Sequence, residues 1–96
     1  MPITTVGVVG SGIMGTGIAE VAAAAGYRVV ARGRSEQSAQ SVLSGVRRSL
    51  DRQIERGRRT EAERDEILSR ITVTTELKDL APADLVIESV VEDLGI

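Results

Sequence analysis

The chain contains no cysteine and no histidine. The first absence excludes disulfides and thiolate nucleophiles, and the two together exclude ordinary zinc sites. Without histidine, the usual general base near neutral pH is missing as well. Aromatic residues are nearly absent, with Tyr27 standing alone. Nucleic acid therefore finds no platform for stacked bases, and a core has to be assembled from Val, Ile, Leu and Ala. No apolar run approaches a membrane span, and the N-terminus lacks the basic, apolar and small-residue order of a secretory signal. These absences lead us to expect a cytoplasmic protein with no nucleic-acid or membrane partner and no metal.

What the chain does have is glycine, 10 in 96 residues. Apolar residues make up 42% and charged residues 27%, the balance of one ordinary globular domain. The net charge of −2 is unevenly spread. Residues 1–50 carry Arg28, Arg32, Arg34, Arg47 and Arg48 against only Glu20 and Glu36, and the second half is acidic. A basic excess of this kind is either a solvated face or a place for phosphates.

The informative glycines stand together. In Val6-Gly7-Val8-Val9-Gly10-Ser11-Gly12-Ile13-Met14-Gly15, Gly10, Gly12 and Gly15 have G-x-G-x-x-G spacing. Upstream lies an apolar, β-branched stretch, the pattern of a strand buried on both faces. Downstream, Ile13 to Ala25 is Ala-rich, with Met14, Ile18, Val21, Ala22 and Ala25 at helical spacing. In such a strand-to-helix turn Gly10 permits the tight bend. Gly12 leaves the backbone open to a pyrophosphate, and Gly15 lets helix and strand pack closely. The helix start adds free N–H groups for an anion. A turn without a ligand has no need of three glycines in six residues, since each costs backbone entropy. Cofactor contacts are accordingly expected from Gly10, Ser11, Gly12, Ile13, Met14 and Gly15.

Further along, the pattern predicts strands over 4–9, 28–32, 71–75 and 85–88. Helices are expected over 13–25, 36–56 and 61–69, with one helical turn at 77–80. Gly26 ends the first helix, Ser35 is placed to cap the second, and Thr60-x-x-Glu63 has the form of a capping box for the third. Ala39, Val42, Leu43, Val46, Leu50 and Ile54 share one face of the long helix, and Gly45 is positioned for a close approach. The two consecutive helices should form an antiparallel hairpin. The fold class is α/β: a Rossmann-like parallel sheet in βαβ-ααβ-β order, the first part of a doubly wound fold with a helical hairpin inserted.

The end of the second strand bears on the cofactor. Sites that select a ribose 2′-hydroxyl usually place Asp or Glu there, about twenty residues past the glycine turn. Here no acid lies between Glu20 and Glu36, and the strand runs into Gly33-Arg34-Ser35. A guanidinium grips a phosphate with two N–H groups, and a hydroxyl can supply a third donor. This points to NADP, with NAD as the alternative.

These residues resemble the N-terminal domain of the 3-hydroxyacyl-CoA dehydrogenase family, the 3-hydroxybutyryl-CoA type in particular. The resemblance rests on VGVVGSGIMGTGIAEVAAAAGYRVV (6–30), TEAERDEILSRITVTTELKDL (60–80) and ADLVIESVVEDL (83–94). It implies hydride transfer between a 3-hydroxyacyl-CoA and a nicotinamide ring, with an acyl-CoA or acyl-carrier substrate. Under it, Gly33 stands where the family commonly has its ribose-binding Asp, and Glu92 matches a glutamate near the nicotinamide. Ser49 and Arg56 match a Ser and a Lys that contact CoA. The family's catalytic His–Glu pair and its helical dimerisation domain are expected beyond Ile96. Residues 1–96 are thus read as an incomplete dinucleotide-binding domain with no catalytic residue, prone to homo-oligomerise, with strand one or strand four left as a bare edge. A stand-alone nucleotide-binding module is the competing reading. A β-hydroxyacid dehydrogenase relative is a third, against which the hairpin argues.

Overall fold

The computed structural model describes residues 4–10 and 12–88. The chain runs β1 (Thr5–Val9), α1 (Gly12–Ala24), β2 (Arg28–Arg32), α2 (Glu36–Glu55), α3 (Glu61–Ser69), β3 (Ile71–Thr74), a 3-10 turn (Leu77–Leu80) and β4 (Leu85–Glu88). Every expected element is present, with β2, α3, the 3-10 turn and β4 at the expected bounds, β1, α2 and β3 one residue shorter at one end, and α1 displaced by one residue at both ends.

The four strands form one parallel sheet in the order β3-β2-β1-β4. The chain thus builds outward from β1 through β2 to β3, then crosses back to the other side of β1. This reversal makes the carboxyl end of β1, beside β4, a topological switch point, where open α/β sheets form their ligand crevice. One face of the sheet carries Val6, Val8, Val29, Ala31 and Ile71, which pack with Ala19 and Ala23 of α1, Val42, Val46 and Leu50 of α2, and Ile67 of α3. The opposite face is covered more thinly. There the 3-10 turn lies so close that a Cβ on Gly7 would come within 2.8 Å of Leu80 Cδ2.

Helix α2 begins as its sequence requires. Ser35 accepts from Ser38 N at 3.1 Å, and Ser38 Oγ accepts from Ser35 N at 3.0 Å. Thr60 and Glu63 repeat the exchange at α3. The buried face of α2 is the anticipated one, and a Cβ on Gly45 would meet Thr16 Cγ2 of α1 at 2.7 Å, so the two helices touch across a glycine.

Helix α1 corrects the expected apolar face. Its buried residues are Gly15, Ala19 and Ala23, while Met14 and Val21 are 65% and 70% exposed. The close seat of α1 on the sheet and on α2 admits only small residues. The larger apolar side chains turn toward β4, where Met14, Ile18 and Val21 join Val6, Tyr27, Leu85 and Ile87 along an apolar groove. Of the two strands expected to offer a bare edge, it is β4 that lies at a border; β1 is interior and β3 is the other border, because the chain adds strands on both sides of β1.

At the amino ends of the strands, Asp84 ties β4 to β1. Its Oδ2 accepts from Thr4 N at 2.9 Å, Thr5 N at 3.0 Å and Thr4 Oγ1 at 3.0 Å. Those two backbone N–H groups, helped by the Thr4 hydroxyl, hold the carboxyl below its ordinary value of 3.8.

Candidate dinucleotide site

The register of the sheet assembles the site. Val9 pairs with Arg32 on one side and Glu88 on the other, so the turns that follow β1 and β2 emerge side by side at the switch point. Gly10 has φ +118° and donates its N–H to Arg32 O at 3.0 Å, which couples the two turns directly. Gly12 has φ +86°, a left-handed conformation that side chains disfavour, and among the described residues nothing lies within 4 Å of the position a Cβ would take. The backbone of Gly12 is thus open to an approaching group. Gly15, one turn on, is buried against the sheet. Ile13 and Met14 are exposed at the helix start, at 96% and 65%. Positive-φ glycines, open space and the amino end of a 13-residue helix fit a pyrophosphate. Ser11 lies outside the described residues.

Behind this turn stands the end of β2. Gly33 is buried and donates its N–H to Thr74 O at 3.0 Å. Arg34 is exposed, and among the described residues no carboxylate pairs with it. Its guanidinium is accessible to an anion at the end of β2. Ser35 caps α2 as expected: its hydroxyl accepts from Ser38 N at 3.1 Å and donates to Ser38 Oγ at 3.3 Å.

Ser49 and Arg56 lie elsewhere. Both sit on α2, about 20 and 30 Å along the helix from its start at 1.5 Å per residue, so they do not join the glycine turn. They are seven residues apart, close to two helical turns, and share one side of α2. Ser49 is half-buried rather than exposed. Its Oγ accepts from Gln53 Nε2 at 3.3 Å. Gln53 also donates to Glu20 Oε2 at 3.0 Å and accepts from Arg59 Nε at 2.7 Å. Arg56 is the exposed C-cap of α2. Glu92 falls outside the described residues. Among the described residues no group of acidic side chains could hold a metal ion.

Sequence reasoning missed three positioning contacts. Arg70 donates to Ala23 O at 2.8 Å and closes the carboxyl end of α1. Gln53 bridges α2 to α1. Ser38 and Ala39 crowd Gly33. Only the last left a trace in the sequence, a glycine at a strand end with no turn dipeptide to account for it.

Comparison with known proteins bears on the same residues. Residues 5–96 match the family model described as the NAD binding domain of 3-hydroxyacyl-CoA dehydrogenase. A 3-hydroxybutyryl-CoA dehydrogenase of Mycobacterium tuberculosis is 47% identical over 94 residues, 98% of this chain and 33% of the relative. A probable 3-hydroxybutyryl-CoA dehydrogenase of Bacillus subtilis is 36% identical over 95 residues, 99% of this chain and 33% of the relative. Among solved structures, (S)-3-hydroxybutyryl-CoA dehydrogenase from Ralstonia eutropha superposes with a TM-score of 0.92 at 41% identity, over 96% of this chain and 32% of that one. The chain thus spans about a third of the length of these relatives.

Proposed function

The chain belongs to the 3-hydroxyacyl-CoA dehydrogenase family, at its NAD-binding domain, and on that premise we propose that it supplies the cofactor half of an NADP(H)-dependent dehydrogenase. The reaction interconverts a 3-hydroxyacyl-CoA and a 3-oxoacyl-CoA by hydride transfer. The observation that carries the cofactor assignment is the end of β2, where buried Gly33 and exposed Arg34 stand in place of a carboxylate. A carboxylate there accepts from the ribose hydroxyls and repels a 2′-phosphate. An arginine instead offers charge-assisted hydrogen bonds worth about 1.5–3 kcal/mol, roughly ten- to a hundredfold in affinity.

The bound nicotinamide group supplies the hydride acceptor. On this reading the residues of this chain hold and orient it: Gly10 sets the turn, Gly12 presents open backbone, the amino end of α1 faces the pyrophosphate, and Arg34 selects the 2′-phosphate. Ser49 and Arg56 are proposed to hold the acyl carrier, Arg56 through its charge. No histidine is present in the 96 residues, so the His–Glu pair that the resemblance implies is not among them and these residues alone are expected to be inactive.

The test is the rate of 3-hydroxybutyryl-CoA oxidation by the full-length protein with each nicotinamide cofactor. Faster turnover per unit concentration with NADP, lost on Arg34→Ala, is expected. Preference for NAD, or indifference to Arg34→Ala, sinks the cofactor assignment. No oxidation of any 3-hydroxyacyl-CoA sinks the reaction.

A further inference from the structure

The end of β2 leaves no room for a side chain. A Cβ on Gly33 lies 2.5 Å from Ala39 N, 2.6 Å from Ser38 Oγ and 2.8 Å from Ala39 Cα. Two of these three obstacles are backbone atoms of α2, which cannot rotate away. Glycine is not required here by conformation, since the positive-φ glycines are Gly10, Gly12, Gly26 and Gly57. It is required by space.

Neither side of this contact is free to move. Behind Gly33, its N–H is bonded to Thr74 O at 3.0 Å, and the neighbouring Arg32 Nε donates to Thr75 O at 3.1 Å. β3 therefore holds the strand end in place. In front, the first turn of α2 is fixed by the Ser35–Ser38 capping exchange and by Ala39, which is 2% exposed. Adding atoms to a seam closed on both sides forces backbone shifts.

We propose that Gly33 determines cofactor specificity by exclusion. The first turn of α2 occupies the space that the Cβ of any side chain at position 33 would take, including that of the acid a 2′-hydroxyl-selective site carries there. Discrimination at the ribose then resides in the packing of α2 on β2, not in one exchangeable side chain. This rests on the dinucleotide reading above and adds a consequence to it. In an open site, introducing an acid at this position converts preference from NADP to NAD. Here Gly33→Asp unseats α2 and weakens both cofactors, with no gain for NAD over NADP.

The experiment compares Gly33→Ala, Gly33→Asp and Arg34→Ala in the full-length protein. Thermal unfolding without ligand and calorimetric titration with NAD and NADP are the two readouts. Both Gly33 variants are expected to lose several degrees of Tm, while Arg34→Ala, a surface change, stays near the parent. An unchanged Tm in Gly33→Ala overturns the exclusion, and so does a Gly33→Asp protein that gains tenfold in NAD over NADP. Should Gly33→Asp fail to fold, the single methyl of Gly33→Ala decides by the same criterion. Loss of fold there too, with Arg34→Ala folded, counts for the exclusion. The unfolding readout needs no cofactor. NAD preference in the unmodified protein overturns the cofactor assignment, whereas an unchanged Tm overturns the exclusion, so the two failures are distinguishable.

Discussion

Gly12 combines a φ of +86° with an empty space at its Cβ position. Substitution by alanine therefore meets no neighbour among the described residues, and its structural cost is confined to the left-handed backbone, about 1–2 kcal/mol. On the proposed site its effect on a dinucleotide is larger, because the methyl would fill the space proposed for the pyrophosphate. Gly12→Ala is expected to weaken cofactor binding at least tenfold while the apo protein still folds, as read by titration and circular dichroism. Undiminished binding would remove the glycine turn from the site. Leu50 is the contrasting case. It is wholly buried between α2 and the sheet, far from the turn. Leu50→Ala should cost about 2–5 kcal/mol through lost transfer energy and a cavity, read from denaturant unfolding.

The elements themselves were legible in the sequence wherever local chemistry decides. Ser35 and Thr60 announce their helices because capping is a contest among neighbouring residues. β2 and β4 are read as strands because their branched residues are bounded by turn residues. α1 was misread for a physical reason. Periodicity locates a stripe of larger apolar residues, but which stripe faces the core depends on how closely the helix must approach its neighbours. Gly15, Ala19 and Ala23 face inward because the seat is tight, which the spacing of Met14, Ile18 and Val21 does not disclose. The Gly33 seam lies between two elements, so the sequence shows only its trace, a glycine at a strand end, and not the contact with Ala39 that requires it. The Asp84 clamp was invisible, as it joins residues 80 positions apart.

That clamp gives a prediction for the β1–β4 pair. The Asp84 carboxyl is held below its ordinary value in the folded protein. Its contribution is therefore full above the ordinary value of 3.8 and fades as pH falls through the lower folded value. Asp84→Asn removes the charge and keeps the shape. The parent should exceed it in Tm by a constant margin from pH 7 to 5, shrinking below about pH 4. A margin that does not vary with pH would show that the charge is not what the Thr4 and Thr5 N–H groups recognise.

For the whole molecule, the border at β4 is the feature that matters most after the site. β4 is an edge strand, and beside it runs an apolar groove of about 580 Å³ lined by Met14, Ile18, Val21, Leu85 and Ile87. Open edges and apolar patches favour association. We expect the 96-residue polypeptide, taken alone, to self-associate with rising concentration in sedimentation velocity. A single monomeric boundary across the range would contradict this. The groove lies on the flank of α1 and shares Met14 with the glycine turn, so association there reaches the margin of the proposed dinucleotide site. The central claim is that the turn at Gly10–Gly15 and the seam at Gly33–Arg34 form one site for a 2′-phosphorylated dinucleotide. Calorimetric titration of the full-length protein with NADPH and NADH in one buffer tests it most directly. The account predicts NADPH binding at least tenfold tighter, with the advantage abolished by Arg34→Ala, and equal or tighter binding of NADH would contradict it.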